Sequence, residues 1–275
     1  MPQICILTDP AALFEDLSFP GSELIYVVNG TPDKPISRIN TLPSRGLADQ
    51  QSLHNYTPST NTFRMAFADL ARQYNEILVI LSSAQINSNL YAHAQQAAES
   101  FQGRVSIQII DSQTFGPGVG QIVQTAAAIA ANNPSGSEVY RQTQIYIGHI
   151  YTVFCTRALK QLSVQGKFDP EHAFLSEMLG IAPLLIIENG QIVSTQKARN
   201  SRHLVELFME YLEEFYSLQR IYIFQSEPVF GTELNQVRER INTMLTEVEV
   251  RQILDIPVIQ ASFGPACIGM IVLDR

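Results

Sequence analysis

Hydroxyl and carboxylate side chains occur as adjacent pairs at three places in this chain: Thr8-Asp9, Ser82-Ser83 and Asp111-Ser112. Each pair follows or closes a run of aliphatic, mostly β-branched residues: "ICIL" at 4–7, "EILVIL" at 76–81 and "VSIQII" at 105–110. Such runs predict strands. Short polar side chains at strand carboxyl ends can ring one crevice and hydrogen-bond the polar end of a ligand. They can equally cap the helices that follow. Three pairs in the same topological position favour a shared site, and the two roles are compatible.

Two glycine-rich stretches raise a related question. "FGPGVG" at 115–120 opens a predicted helix, as a phosphate cradle would, but it lacks the Lys-Ser/Thr of a P-loop and the spacing of a dinucleotide fingerprint. Close strand–helix packing explains it as well. "ASFGPACIG" at 261–269 places Gly264, Pro265 and Gly269 between two apolar runs, so the backbone there either bends sharply or approaches something a side chain would block. No G-x-S-x-G elbow accompanies the serines. Of the five histidines (His54, His93, His149, His172 and His203), His93 and His203 lie on predicted helices without a partner motif. An enzyme would rest on the serines alone, with no base to name. No Cys-x-x-Cys or His-x-x-x-His spacing points to a metal, and no cofactor is expected.

The elements that must position these pairs alternate through the first half. Strands are predicted at 4–7, 23–28, 76–83 and 105–112, and helices at 62–74, 90–101 and 118–132. Residues 31–62 are rich in Pro, Ser, Thr and Asn and read as a long loop. This order predicts an α/β domain: a mainly parallel sheet with helices on both faces. The second half predicts an α+β domain. It has helices at 135–149, 171–180, 200–218 and 232–245, a hairpin at 183–195 turning on Asn189-Gly190, a strand at 220–226 and two last strands within 256–273. The expected domains are 1–150 and 151–275.

Bulk properties narrow the function class. The formal charge of −8 argues against a nucleic-acid partner. With 45% hydrophobic and only 16% charged residues, much of the surface must be neutral and polar. "MPQICILTDP" lacks the basic lead of a signal peptide and no apolar run reaches the length of a membrane span, so the expected protein is cytoplasmic and not membrane-integral. Cys5, Cys155 and Cys267 sit in apolar company and read as small buried hydrophobes.

Taken in order, the motifs resemble the DegV family, bacterial proteins that hold a fatty acid for a fatty acid kinase. Thr8-Asp9-Pro10 stands where that family has Thr-Asp-Ser, and Pro58-Ser59 fits the end of its Thr-Ser-x-Pro-Ser loop, with Asn55 and Tyr56 at the Thr-Ser positions. Ser82 and Ser83, with Ser88 downstream, match the start of Ser-Ser-x-x-Ser-Gly-Thr. "IIDSQTFGPGVG", with Ser112, matches its Val-Ile-Asp-Ser strand and glycine-spaced helix start; Gly166-Lys167 keeps the register of its Gly-Gly-Arg. "LGIAPLLIIENGQIVSTQKARNSR" follows its Pro-hairpin-Lys-x-Arg segment and brings Arg199. "QASFGPACIG" aligns with Gly-Thr-His-Thr-Gly-Pro-Gly: Gly264 and Pro265 are kept, Ser262 takes the histidine position and Ala266 replaces the last glycine.

The resemblance implies a non-catalytic carrier that holds a single long-chain fatty acid between its domains and presents the carboxylate to a fatty acid kinase. It implies a head-group site drawn from Ser59, Ser82, Ser83, Ser88, Ser112, Arg199, Ser262 and Gly264. Arg199 would be the cation, unless it is only a solvated or structural charge. The changed Thr-Ser, Ser-Gly-Thr and His positions leave a second reading: a divergent member with an altered head-group site that binds another apolar ligand or serves as a scaffold.

Overall fold

The computed structural model describes residues 4–14, 16–30, 32–39, 57–132, 135–226, 230–254, 260 and 263–275. It divides into two compact units, 1–148 and 149–275.

The first unit is built on a five-stranded sheet. Its strands are β1 (Ile4–Thr8), β2 (Ile25–Val28), β3 (Ile36–Arg38), β4 (Glu76–Leu81) and β5 (Ser106–Asp111), in the order β3-β2-β1-β4-β5. β2, β1, β4 and β5 run parallel, and β3 pairs antiparallel with β2 at the edge. The central strands carry no polar–apolar alternation because both faces are covered: every residue of β1 is buried, as is every residue of β4 after Glu76. Four helices flank the sheet: α1 (Thr60–Leu70), α2 (Ser88–Glu99), α3 (Pro117–Ala130) and α4 (Gly136–Ile147). Phe63, Phe67 and Leu70 recur on the buried face of α1 at helical spacing, and Tyr74 is buried just beyond it.

The second unit holds a six-stranded sheet in the order β10-β9-β11-β6-β7-β8. The strands are β6 (Ile150–Thr156), β7 (Ala182–Glu188), β8 (Gln191–Ala198), β9 (Leu218–Gln225), β10 (Glu249–Leu254) and β11 (Cys267–Asp274). Only β9 and β10 pair in parallel; the other neighbours are antiparallel. The helices are α5 (Leu159–Val164), α6 (Pro170–Leu179), α7 (Ser201–Glu213) and α8 (Gly231–Met244). Leu204, Phe208 and Leu212 of α7 join Leu234, Val237 and Ile241 of α8 in one core with Val153, Ile221, Ile223 and Met270 of the sheet. The Asn189-Gly190 hairpin forms as read, with both residues at positive φ (49° and 76°) as the tight turn requires.

Several elements differ from the sequence reading. β3 falls inside the polar stretch read as loop; three residues on a sheet edge are too short to show a pattern. β6 follows the helix expected at 135–149 in a stretch where no strand is expected, because "IGHIYTVF" passes from helix to strand with no proline and only Gly148 between. β10, "EVRQIL", is a polar edge strand, and α5 is under two turns. α7 ends at Glu213 rather than near 218. The strand expected after residue 255, at 256–259, and residues 40–56 of the long loop lie outside the described residues. All three cysteines are free and buried as expected. Burial pushes the Cys155 thiol up to about 12.

The glycines of "FGPGVG" serve packing. A Cβ on Gly120 would collide with the Leu13 carbonyl oxygen, and the Leu13 N–H donates to the Gly116 carbonyl at 3.0 Å. α3 therefore lies directly on the backbone that follows β1. Gly120→Ala should lower the urea unfolding free energy by about 1–3 kcal/mol through forced displacement of α3. Gly231→Ala, on α8 with open space around its Cβ position, should be neutral or stabilising by up to about 1 kcal/mol.

Candidate functional site

The carboxyl ends of β1, β4 and β5 bring the three polar pairs to one edge of the parallel sheet, through the registers Thr8 to Ile80 and Leu81 to Asp111. Thr8, Asp9, Ser82, Ser83 and Ser112 are all buried there.

Asp9 ties the ends of β1 and β4 together. One carboxylate oxygen, Oδ2, accepts the Ser82 N–H at 2.6 Å. The other, Oδ1, accepts the Ala11 N–H at 2.8 Å and the Ser82 hydroxyl at 3.1 Å. Burial pushes the Asp9 carboxyl above the ordinary carboxylate range, and the hydrogen bonds from Ser82 and Ala11 act the other way. Beside it, the Thr8 hydroxyl is buried without a hydrogen-bond partner among the described residues. Leaving such a group unsatisfied costs about 1–3 kcal/mol, which a ligand or water would recover.

The β4 and β5 ends are joined in the same way. The Ser83 N–H donates to the Thr114 carbonyl at 2.8 Å, and the Ser112 N–H to the Leu81 carbonyl at 3.0 Å. Asp111 Oδ1 accepts from Ala84 N–H (3.3 Å) and Gln113 N–H (2.9 Å), which holds non-glycine Gln113 at φ 56°. Burial raises the Asp111 carboxyl, opposed by those two bonds. The Ser112 hydroxyl donates to the Thr114 carbonyl at 3.3 Å, and Ser83 Oγ accepts the Gln85 N–H at 3.3 Å. These serines do not cap helices. Asn87 caps α2, accepting the Leu90 N–H, and its amide reaches Thr57 Oγ1 at 2.9 Å. The three strand ends thus bond mainly to one another and to the turns that follow them.

The remaining residues read from sequence fall elsewhere. Ser59 caps α1 through the Thr62 N–H and is exposed. Its loop is fastened to α2 through Asn87 and through His93 Nδ1, 2.9 Å from the Pro58 carbonyl. Ser88 is the exposed first residue of α2. Arg199 belongs to the second unit, exposed at the end of β8, with its N–H donating to His203 Nδ1 at 3.4 Å. Ser262, Asn55 and Tyr56 lie outside the described residues.

Gly264 answers the question raised by its sequence. It adopts φ 88°, and a Cβ there would collide with the side chain of Ala158 at the start of α5. The turn around it is knitted to the end of β6: Thr156 Oγ1 donates to the Phe263 carbonyl (2.6 Å) and Arg157 N–H to the Ala266 carbonyl (3.0 Å). What approaches Gly264 in the described structure is the chain itself. Thr8, Asp9 and Asp111 belong to the polar edge but are not among the head-group residues expected from the sequence, although all three stand in the strand-end pairs that pointed to it.

The family described as "Uncharacterised protein, DegV family" matches residues 47–275. A DegV domain-containing protein of Staphylococcus aureus strain COL is 21% identical over 263 residues, covering 94% of this chain and 89% of the relative. Among solved structures, a fatty acid binding DegV family protein from Streptococcus agalactiae superposes with a TM-score of 0.80 at 16% identity over 100% of both chains. The Streptococcus pneumoniae fatty acid kinase (Fak) B3 protein loaded with linoleic acid superposes with a TM-score of 0.77 at 16% identity, over 99% of this chain and 100% of that one. A DegV family protein from Eubacterium eligens loaded with heptadecanoic acid gives 0.75 at 15% identity, over the same shares. The chain belongs to the DegV family.

Because Asn87 both caps α2 and holds the segment before α1, Asn87→Ala should lower the unfolding free energy by about 1 kcal/mol or more. Ser88→Ala, one residue on at an exposed position, should change it by less than about 0.5 kcal/mol. Chemical denaturation of the two variants checks the difference.

Proposed function

We propose that this chain is a non-catalytic carrier that holds one long-chain fatty acid with its carboxylate at the polar edge of the parallel sheet, and that it presents that carboxylate to a fatty acid kinase. The observation that carries this reading is the buried set Thr8, Asp9, Ser82, Ser83 and Ser112 at one strand-end edge, in a chain of the DegV family. Three structural neighbours are described as fatty acid binding or as loaded with linoleic or heptadecanoic acid, which supports the ligand class. Catalysis would need a nucleophile with a base in reach. The Ser112 hydroxyl donates to the Thr114 carbonyl, which is no base, and the Asp9 carboxylate that accepts from the Ser82 hydroxyl is already held by the Ser82 and Ala11 N–H groups.

A carboxylate needs donors. Ser83 and the orphan hydroxyl of Thr8 are the candidates in the first unit, and the family resemblance adds Ser262 and Arg199. A charge-assisted hydrogen bond contributes about 1.5–3 kcal/mol net. Ser83→Ala and Ser262→Ala should each weaken fatty-acid binding by about 10- to 100-fold in direct titration, and Ser262→His should not weaken it. Native mass spectrometry of the purified protein should show one fatty acid per chain, and adding a fatty acid kinase with ATP should yield acyl phosphate trapped by hydroxylamine. Protein free of lipid that binds no added fatty acid would overturn the carrier reading and leave a divergent member with another ligand.

A further inference from the structure

The hydrogen-bond directions at Asp9 constrain what Ser82 can do. An ionised carboxylate only accepts, so the bond between Asp9 Oδ1 and Ser82 Oγ is made with the serine's proton. Both backbone donors in reach, Ser82 N–H and Ala11 N–H, also point at this carboxylate. Ser82 Oγ therefore offers only lone pairs outward, and no described group donates to it. A fatty-acid carboxylate brought to Ser82 would meet an acceptor facing an acceptor, with the Asp9 charge directly behind.

One proton resolves the conflict. If Asp9 takes it, its O–H can donate to Ser82 Oγ, and the serine hydroxyl turns to donate to the ligand. If the ligand takes it, the carboxylic acid donates to Ser82 Oγ. Either way the chain of Asp9, Ser82 and head group holds one proton more than the separated ionised groups bring, and the solvent supplies it.

We infer that Asp9 is a positioning residue that fixes Ser82 as an acceptor, so that a carboxylate at this edge binds together with one proton, whereas a neutral hydroxyl head group binds without one. This rests on the carrier reading above. The burial that raises the Asp9 carboxyl eases the uptake. Few other titratable groups face Asp9 from the elements packed around it. β1 adds Cys5, β2 adds Tyr26, whose hydroxyl lies 3.1 Å from that of Tyr74, and the 3-10 turn before β2 adds exposed Glu23. β4 adds Glu76 at its opposite end, and β5 adds Asp111, two strands away. α3 and residues 10–14 add none. β3, beyond β2, adds Arg38, whose guanidinium lies over the Tyr26 ring at 5.4 Å from its centroid; the other groups named are acids.

The test is calorimetric titration near pH 7 in buffers of different ionisation enthalpy, with myristate and tetradecanol as probes. Wild-type protein should take up about one proton per myristate and none with tetradecanol, and myristate affinity should fall about tenfold per pH unit rise. Asp9→Asn should abolish the uptake and flatten the pH profile. Asp9→Asn also sets an amide N–H₂ against a backbone N–H and could fail to fold, so Ser82→Ala, which loses one hydroxyl bond, decides the matter and should likewise show no uptake. Myristate binding without proton uptake, or with uptake unchanged in Ser82→Ala, would overturn this inference and leave the carrier reading standing. Binding of neither probe would overturn both.

Discussion

A carboxylate buried behind a strand end is the constraint on which the polar edge depends. Asp9 is taken out of water, and three donors from two strand ends, rather than a cation, receive its charge. Removing charge from water is costly unless hydrogen bonds replace the lost hydration. The backbone after β1 and after β4 must therefore turn so that Ala11 and Ser82 point inward. That turn places Ser82 and Ser83 beside the end of β5, where Asp111 organises Ala84 and Gln113 in a similar way. The hydroxyls reach one edge because one buried and one half-buried carboxylate, Asp9 and Asp111, hold the loops that carry them.

The close seating of α3 serves the same end. With Gly120 against the Leu13 backbone, the segment from Asp9 to Phe14 is pinned between helix and sheet, and Leu13 N–H to Gly116 O closes it. A phosphate cradle would leave that backbone free to receive a ligand; here it receives the chain. Gly264 repeats the pattern in the second unit, where the missing side chain admits Ala158. In both stretches glycine marks close approach, and sequence alone does not say whether the approaching atoms are a ligand's or the protein's own.

Much of the fold was legible because buried parallel strands such as "ICIL" and "EILVIL" leave unbroken aliphatic runs, and because Phe63, Phe67 and Leu70 repeat at helical spacing. β3 and β10 were not legible. They are edge strands held by neighbours on one side, and neither "ISR" nor "EVRQIL" carries a regular polar–apolar alternation to reveal it. The polar edge was readable as a set of strand-end pairs, but its internal economy of donors and acceptors was not. That Ser82 and Ser112 spend their protons on Asp9 and Thr114 depends on register and turn geometry between residues far apart in sequence. Asn87 rather than a serine caps α2 for the same reason: the turn at 84–86 carries the chain past Ser83 before the helix starts.

A crystal structure of the protein with bound myristate tests most directly the claim that this edge holds an acyl carboxylate. The expected result is a carboxyl group within hydrogen-bond distance of Ser83 and facing Ser82 Oγ, with the Asp9–Ser82 bond retained behind it. A carboxyl group lying away from the ends of β1, β4 and β5, with Ser82 and Ser83 bonded as in the unliganded chain, would contradict it.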